Sequence, residues 1–123
     1  MSAVKGFRQQ TGAFGEAAAV RHLTNLGYTI VQRNYRCPRG EIDIVADTGS
    51  EIVFVEVRAR TSDTFGTPEE SITPAKAERM IRAAQAYLLE HGVKRGWRID
   101  LVAIVFMRGR VQRLDHYQHV LQG

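Results

Sequence analysis

Three acidic side chains and one arginine are the residues of this sequence best suited to act together chemically: Glu16, Asp43, Glu56 and Arg58. Glu56 is the most unusual of them, because it interrupts an apolar run, I-V-F-V-E-V, in what the pattern predicts to be a buried strand. A carboxylate that loses its water without gaining a partner costs several kcal/mol, so its burial needs an offsetting interaction. A divalent metal ion shared with other carboxylates would provide one.

The spacing of these residues predicts how they meet. Side chains alternate along a strand, so Glu56 and Arg58 share one face. A hairpin loop of about four residues would set Asp43 opposite Glu56, with their Cβ atoms roughly 5 Å apart. Two carboxylates this close repel each other unless a cation lies between them. We therefore expect Mg²⁺ or Mn²⁺ at this position, and the carbonyl oxygen of Val57 can add a further hard ligand.

Glu16 lies in the first predicted helix, near the edge of an apolar face formed by Ala13, Ala17, Val20 and Leu23. It can face the sheet as a third metal ligand, or face water early in the helix, where its charge favours the helix dipole. The neighbouring Gly15 points to close packing, because glycine inside a helix otherwise costs about 1 kcal/mol.

Length, charge and cysteine content limit the class of protein. A chain of 123 residues forms one domain with a real core, and its formal charge of +4 favours a polyanionic partner such as nucleic acid. Candidate contacts are Arg36, Arg39, Arg60 and Lys76, although solvated loops and strand ends explain such residues equally well. The single cysteine excludes an internal disulfide and a cysteine-based zinc site. No apolar stretch reaches the roughly 20 residues of a membrane span, so we expect a cytoplasmic protein without membrane contact.

Periodicity and turn residues predict a flexible N-terminal arm at residues 1–7 and a single domain at residues 8–123. The predicted elements are a helix at 8–26, strands at 28–34, 41–46 and 51–60, an irregular connection at 61–72, a helix at 74–90, and strands at 98–107 and 110–115. Hairpins imply antiparallel neighbours, and a helix between two apolar strands implies a parallel pair. One helix on each face gives an α/β protein, a three-layer α/β/α sandwich around a mixed sheet of about five strands.

Other polar residues receive structural interpretations. Asp100 interrupts the apolar strand W-R-I-D-L-V-A-I, and we expect Arg98 to be its ion-pair partner. The four histidines show no convincing metal-ligand spacing, and we expect them on the surface.

The motifs also occur together in a known family. G-E near the N-terminus is followed by G-Y-T-I-V-Q-R-N-Y-R, G-E-I-D-I-V-A, F-V-E-V-R-A-R and R-I-D-L-V-A-I. This set, which covers residues 11–114, resembles the YraN-like family of small bacterial proteins. That family in turn resembles the PD-(D/E)XK nuclease superfamily, particularly archaeal Holliday-junction resolvases. The resemblance implies a restriction endonuclease-like fold with an αβββαβ core, a DNA substrate and a symmetric homodimer.

The resemblance also implies roles for individual residues. Asp43 matches the aspartate that binds metal, Glu56 matches the first acidic residue of the E-x-K element, and Arg58 replaces its lysine. Glu16 matches a glutamate of the first helix in resolvase-like members. In these nucleases the metal polarises the phosphate and the lysine stabilises developing charge. Arginine keeps the charge but cannot readily transfer a proton, and Lys76 is either a displaced substitute or an exposed helical lysine.

Three functions follow as hypotheses. The first is a metal-dependent nuclease that hydrolyses phosphodiester bonds in DNA, in particular branched or structured DNA. The second is a non-catalytic nucleic-acid-binding module that retains the nuclease fold. The third is an interaction scaffold, in which the acidic residues form a buried ion-pair network with Arg58.

Overall fold

The order of elements follows the sequence prediction. The computed structural model describes residues 2–61 and 72–121. Its elements are α1 (Ser2–Asn25), β1 (Thr29–Cys37), β2 (Gly40–Asp47), β3 (Glu51–Arg60), α2 (Pro74–Glu90), β4 (Gly96–Met107) and β5 (Arg110–Leu121). The predicted connection lies, apart from its ends, outside the described residues. Helix α1 begins before the predicted start at residue 8, whereas the proposed flexibility of residues 1–7 concerns motion and stays a prediction.

The five strands form one mixed sheet in the order β1-β2-β3-β4-β5. Strands β3 and β4 are parallel, and the other neighbours are antiparallel. Helix α2 lies between the two parallel strands in the chain, as the crossover argument predicts. Within the described ranges, neither helix combines the length and the apolar character needed to cross a membrane.

Each face of the sheet is covered by one helix, which confirms the three-layer arrangement. On one face, Ala18, Ala19 and Leu23 of α1 pack against the alternate residues Val53 and Val55 of β3. On the opposite face, Met80, Ala84 and Tyr87 of α2 pack against Phe54 of β3 and Ile99 of β4. The period of two along β3 thus divides its apolar side chains between two cores.

The predicted inward face of α1 is partly wrong. Ala13 and Ala17 are exposed, whereas Ala18 and Ala19 are buried. The physical reason is Gly15, where the helix approaches β3 so closely that a Cβ atom would lie 2.6 Å from the Cβ of Ala59. This close contact fixes the rotation of the helix against the sheet.

Asp100 has the ionic environment that a fully buried carboxylate requires, and its predicted pairing with Arg98 is confirmed. It accepts hydrogen bonds from Arg98 Nε at 3.0 Å, His116 Nε2 at 2.8 Å and the backbone N–H of His119 at 3.1 Å. Burial alone would raise the pKa of Asp100, but the bonds from His116 and Arg98 hold it below its usual value. The His116 side chain is only 8% exposed, so the expectation of a surface histidine is wrong there.

We predict that Gly15→Ala destabilises the protein by about 1–2 kcal/mol, because the overpacking of an added methyl group outweighs the gain in helix propensity. Urea unfolding followed by circular dichroism measures this change. Gly12→Ala is the matched control, since a Cβ atom there meets nothing within 4 Å. It should leave stability unchanged or raise it, and equal effects of the two substitutions would contradict the close contact.

Candidate functional site

Polar residues of three neighbouring strands share one row of the sheet. The register of β1 with β2 sets Asn34 opposite Asp43. The register of β2 with β3 makes Asp43 and Glu56 the next residues to face each other after the last backbone pair. There the ladder stops, and the Asp43 Oδ2 atom accepts a hydrogen bond from the backbone N–H of Val57 at 2.8 Å. The predicted pairing of Asp43 with Glu56 is therefore made by side chains.

Asp43 and Glu56 form a carboxylate pair whose side chains lie within hydrogen-bonding reach of each other. A hydrogen bond between two carboxyl groups requires one of them to be protonated. Burial and the nearby charge of Glu56 raise the pKa of Asp43 to about 7. Burial also raises the pKa of Glu56, against the attraction of Arg58 and the hydrogen bond from Asp43. Below neutral pH the pair therefore holds a proton.

Two cations flank Glu56. Lys76 Nζ lies 2.8 Å from Glu56 Oε2, and Arg58 Nε lies 3.4 Å from the same oxygen. Lys76 stands in the first turn of α2, where the Thr73 hydroxyl accepts a hydrogen bond from its backbone N–H and caps the helix. Among the described residues, the buried Nε of Arg58 makes no well-aligned hydrogen bond. Its charge is balanced only by the longer ion pair with Glu56.

The pair lies in an open cleft of about 550 Å³ between the β1–β2 hairpin, β3 and α2. The charged residues that line it are the cations Arg36, Arg58, Lys76 and Arg79 and the acids Glu41, Asp43 and Glu56. At Gly40 a Cβ atom would lie 2.9 Å from the carbonyl oxygen of Arg79. The hairpin turn thus rests directly on α2. This contact lies at Arg79, whose side chain lines the cleft.

A family comparison confirms the YraN-like family that the motifs indicate. The model of the uncharacterised protein family UPF0102 matches residues 15–104 of the chain. The chain belongs to this family. A UPF0102 protein of Moorella thermoacetica is 54% identical over 98 residues, which is 79% of this chain and 82% of the relative. A UPF0102 protein of Nocardioides sp. is 41% identical over 120 residues, 97% of each chain.

The UPF0102 match includes every residue of the cleft, and most predicted site residues meet there. Asp43, Glu56, Val57, Arg58, Lys76 and Arg36 all line it. Arg39, in the hairpin turn, and Arg60, at the end of β3, lie outside its lining.

Glu16 has a different environment from the pair. Its Oε1 accepts hydrogen bonds from Arg33 Nε at 2.9 Å and from Asn34 Nδ2 at 3.1 Å. It lies close enough to contribute to the raised pKa of Asp43, after burial and the Glu56 charge. Over the described parts of the chain, however, no three acidic, histidine or cysteine side chains stand close enough together to hold a metal ion. Its direct ligation of a metal stays a prediction.

Asn34 and Arg79 were not predicted from the sequence. Arg79 lines the cleft, and Asn34 lies beside Asp43. Asn34 had a signal, because asparagine is a poor strand residue that tolerates a left-handed backbone. Arg79 follows Lys76 by three residues on α2, so the two share one side of the helix. That spacing would have identified Arg79 once Lys76 was placed in the site.

We predict that Asp43 makes the metal-free protein less stable as the pH rises. Its folded pKa of about 7 lies above the ordinary 3.8, so the folded state binds the proton more tightly than the unfolded state. The contribution of Asp43 to the free energy of unfolding is complete below pH 4 and is lost by pH 7. The loss is at most about 4 kcal/mol. Asp43→Asn should remove this part of the slope in urea unfolding measured from pH 4 to pH 8.

The control for this titration is Asp47→Asn. The hydrogen bond from Arg95 holds the pKa of Asp47 below its usual value, so this group is already ionised across the same window. The control variant should keep the slope of the wild type. Equal slopes in the wild type and Asp43→Asn would contradict the shared proton.

Proposed function

We propose that this UPF0102 protein is a metal-dependent nuclease that hydrolyses phosphodiester bonds in DNA, with branched or structured DNA as its preferred substrate. The observation that carries the proposal is a carboxylate pair, buried Glu56 and half-buried Asp43, inside a cleft lined by four basic side chains. Neither part alone points to this reaction. A cation-rich cleft attracts phosphate, and a carboxylate pair attracts a divalent ion.

The donor set fits Mg²⁺ or Mn²⁺. These hard ions prefer oxygen ligands, and Mg²⁺ commonly binds through one or two carboxylates while it keeps several waters. Asp43 and Glu56 supply two such groups, and their repulsion is now relieved by a proton that a cation can replace. A bound ion would polarise the phosphodiester and lower the pKa of water.

The basic residues divide the remaining tasks. Arg58 lines the cleft beside Glu56, and its guanidinium would bind a phosphate oxygen, as its place in the motif suggests. Lys76 is the amine beside Glu56, and lysine, unlike arginine, can change its protonation state in a buried site. Arg36 and Arg79 lie at the cleft wall, where they would bind the neighbouring phosphates and position the strand.

A cleavage assay tests the proposal directly. Branched, single-stranded and duplex DNA are incubated with the protein in Mg²⁺, Mn²⁺ or EDTA. We expect metal-dependent cleavage that Asp43→Asn and Glu56→Gln each lower by more than about 100-fold, because even outer-shell partners of a metal are worth 10–100-fold. Arg82→Ala is the control, since Arg82 lies on the same helix outside the cleft lining and pairs with Glu78. Activity that survives both acidic substitutions contradicts the proposal.

The second candidate function is a nucleic-acid-binding module without catalysis. The observation that favours it is the ion pair of Lys76 with Glu56, which already neutralises one carboxylate without a metal. The cations of the cleft would then bind phosphate alone, and a symmetric homodimer would place two such clefts on one DNA.

Salt and metal dependence separate the two candidates. Binding of labelled DNA is followed by fluorescence anisotropy from about 50 to 200 mM salt, with Mg²⁺ or with EDTA. A pure binding module should bind equally well in both. In either case Arg79→Ala should weaken binding and lower the salt slope by about 1, whereas Arg82→Ala should not. Unchanged binding by Arg79→Ala would exclude the cleft as the nucleic-acid surface.

A further inference from the structure

Asn34 has an unusual backbone conformation for a strand residue. It lies inside β1, yet its φ is 56°, in the left-handed region that non-glycine residues rarely adopt. Asparagine enters this region more readily than most side chains do. The conformation is therefore strained, but less so than for most other residues. Asn34 lies opposite Asp43, which connects it with the candidate site.

The left-handed backbone explains an otherwise improbable contact. Consecutive side chains of a regular strand point to opposite faces. Arg33 and Asn34 are consecutive, yet both donate to the same oxygen of Glu16, at 2.9 and 3.1 Å. A turn of the chain at Asn34 allows the two donors to converge. The strain at Asn34 thus produces a two-point clamp on one carboxylate oxygen.

The clamp leaves Glu16 fixed but chemically available. The side chain is only 15% exposed, and the adjoining Gly15 anchors its backbone against Ala59. Both described hydrogen bonds engage Oε1, so Oε2 makes none with the side chains that the structure describes, those of residues 12–61 and 72–121. Asn34, which donates to Glu16, lies opposite Asp43 in the sheet, so the clamped carboxylate lies beside the carboxylate pair.

We propose that Asn34 is a positioning residue, which holds Glu16 so that its free oxygen accepts a hydrogen bond from water around a cation bound by Asp43 and Glu56. The inference rests on the proposed function, because it requires that cation. It assigns Glu16 to the hydration shell, in agreement with the lack of a described three-carboxylate group. Water retained by Mg²⁺ or Mn²⁺ provides the donor that such an arrangement needs.

Calorimetric titration of the full chain with Mn²⁺ alone tests the proposal. Asn34→Gly is the informative variant, because glycine keeps the left-handed backbone without strain and removes only the amide. We expect it to weaken Mn²⁺ binding about 10-fold, as loss of an outer-shell partner does, without lowering the melting temperature. Asn25→Gly makes the same substitution at the last residue of α1, away from Glu16, and should leave the affinity for Mn²⁺ unchanged.

A double-mutant cycle shows whether Asn34 acts through Glu16. Glu16→Ala should weaken Mn²⁺ binding as well, and the combined variant should bind no more weakly than Glu16→Ala alone. Unchanged affinity in Asn34→Gly, or additive losses in the double variant, would overturn the inference about Asn34. The proposed function would still be supported if Mn²⁺ binding depends on Asp43 and Glu56. Absence of such binding in the wild type would overturn both.

Discussion

The hydrogen-bonded contact between Asp43 and Glu56 is the interaction on which the rest of the site depends. Two carboxylates buried side by side are costly, since burial and mutual repulsion both disfavour their charges. The fold answers with a shared proton, the backbone N–H of Val57 and the ammonium of Lys76. The proton and the Lys76 ammonium are not part of the backbone ladder of the sheet. A bound cation could therefore replace both of them without disturbing the strands.

Two glycine contacts place the helices where the pair needs them. Gly15 allows α1 to approach β3, and Gly40 allows the hairpin turn to rest on α2. The first contact brings Glu16 within electrostatic range of Asp43, and the second brings Arg79 to the cleft wall. Both contacts leave no room for a side chain, so a larger residue at either glycine would force the packed elements apart.

Sequence reasoning succeeded where local geometry decides the outcome and failed where tertiary contacts do. Strand parity and hairpin length were sufficient to predict that Asp43, Glu56 and Arg58 converge. The partners of Glu16 depend on a left-handed residue that interrupts the alternation of β1, which no period of two can indicate. His116 was misjudged for a similar reason. Its burial comes from the pairing of β5 with β4, beside Asp100, and that strand continues to Leu121, beyond its predicted end at 115.

The acidic pair itself discriminates between the candidate functions. A module selected only to hold phosphate gains nothing from two buried carboxylates, because any charge on them repels the ligand that Arg36, Arg58 and Arg79 attract. A divalent ion reverses this contribution, since it converts the same carboxylates into an anchor for phosphate. Such an ion would have to displace the proton of the pair and release Lys76 from Glu56. The released amine would then stand in the cleft beside the proposed phosphate site, which is the arrangement that the catalytic proposal needs and that a binding module does not.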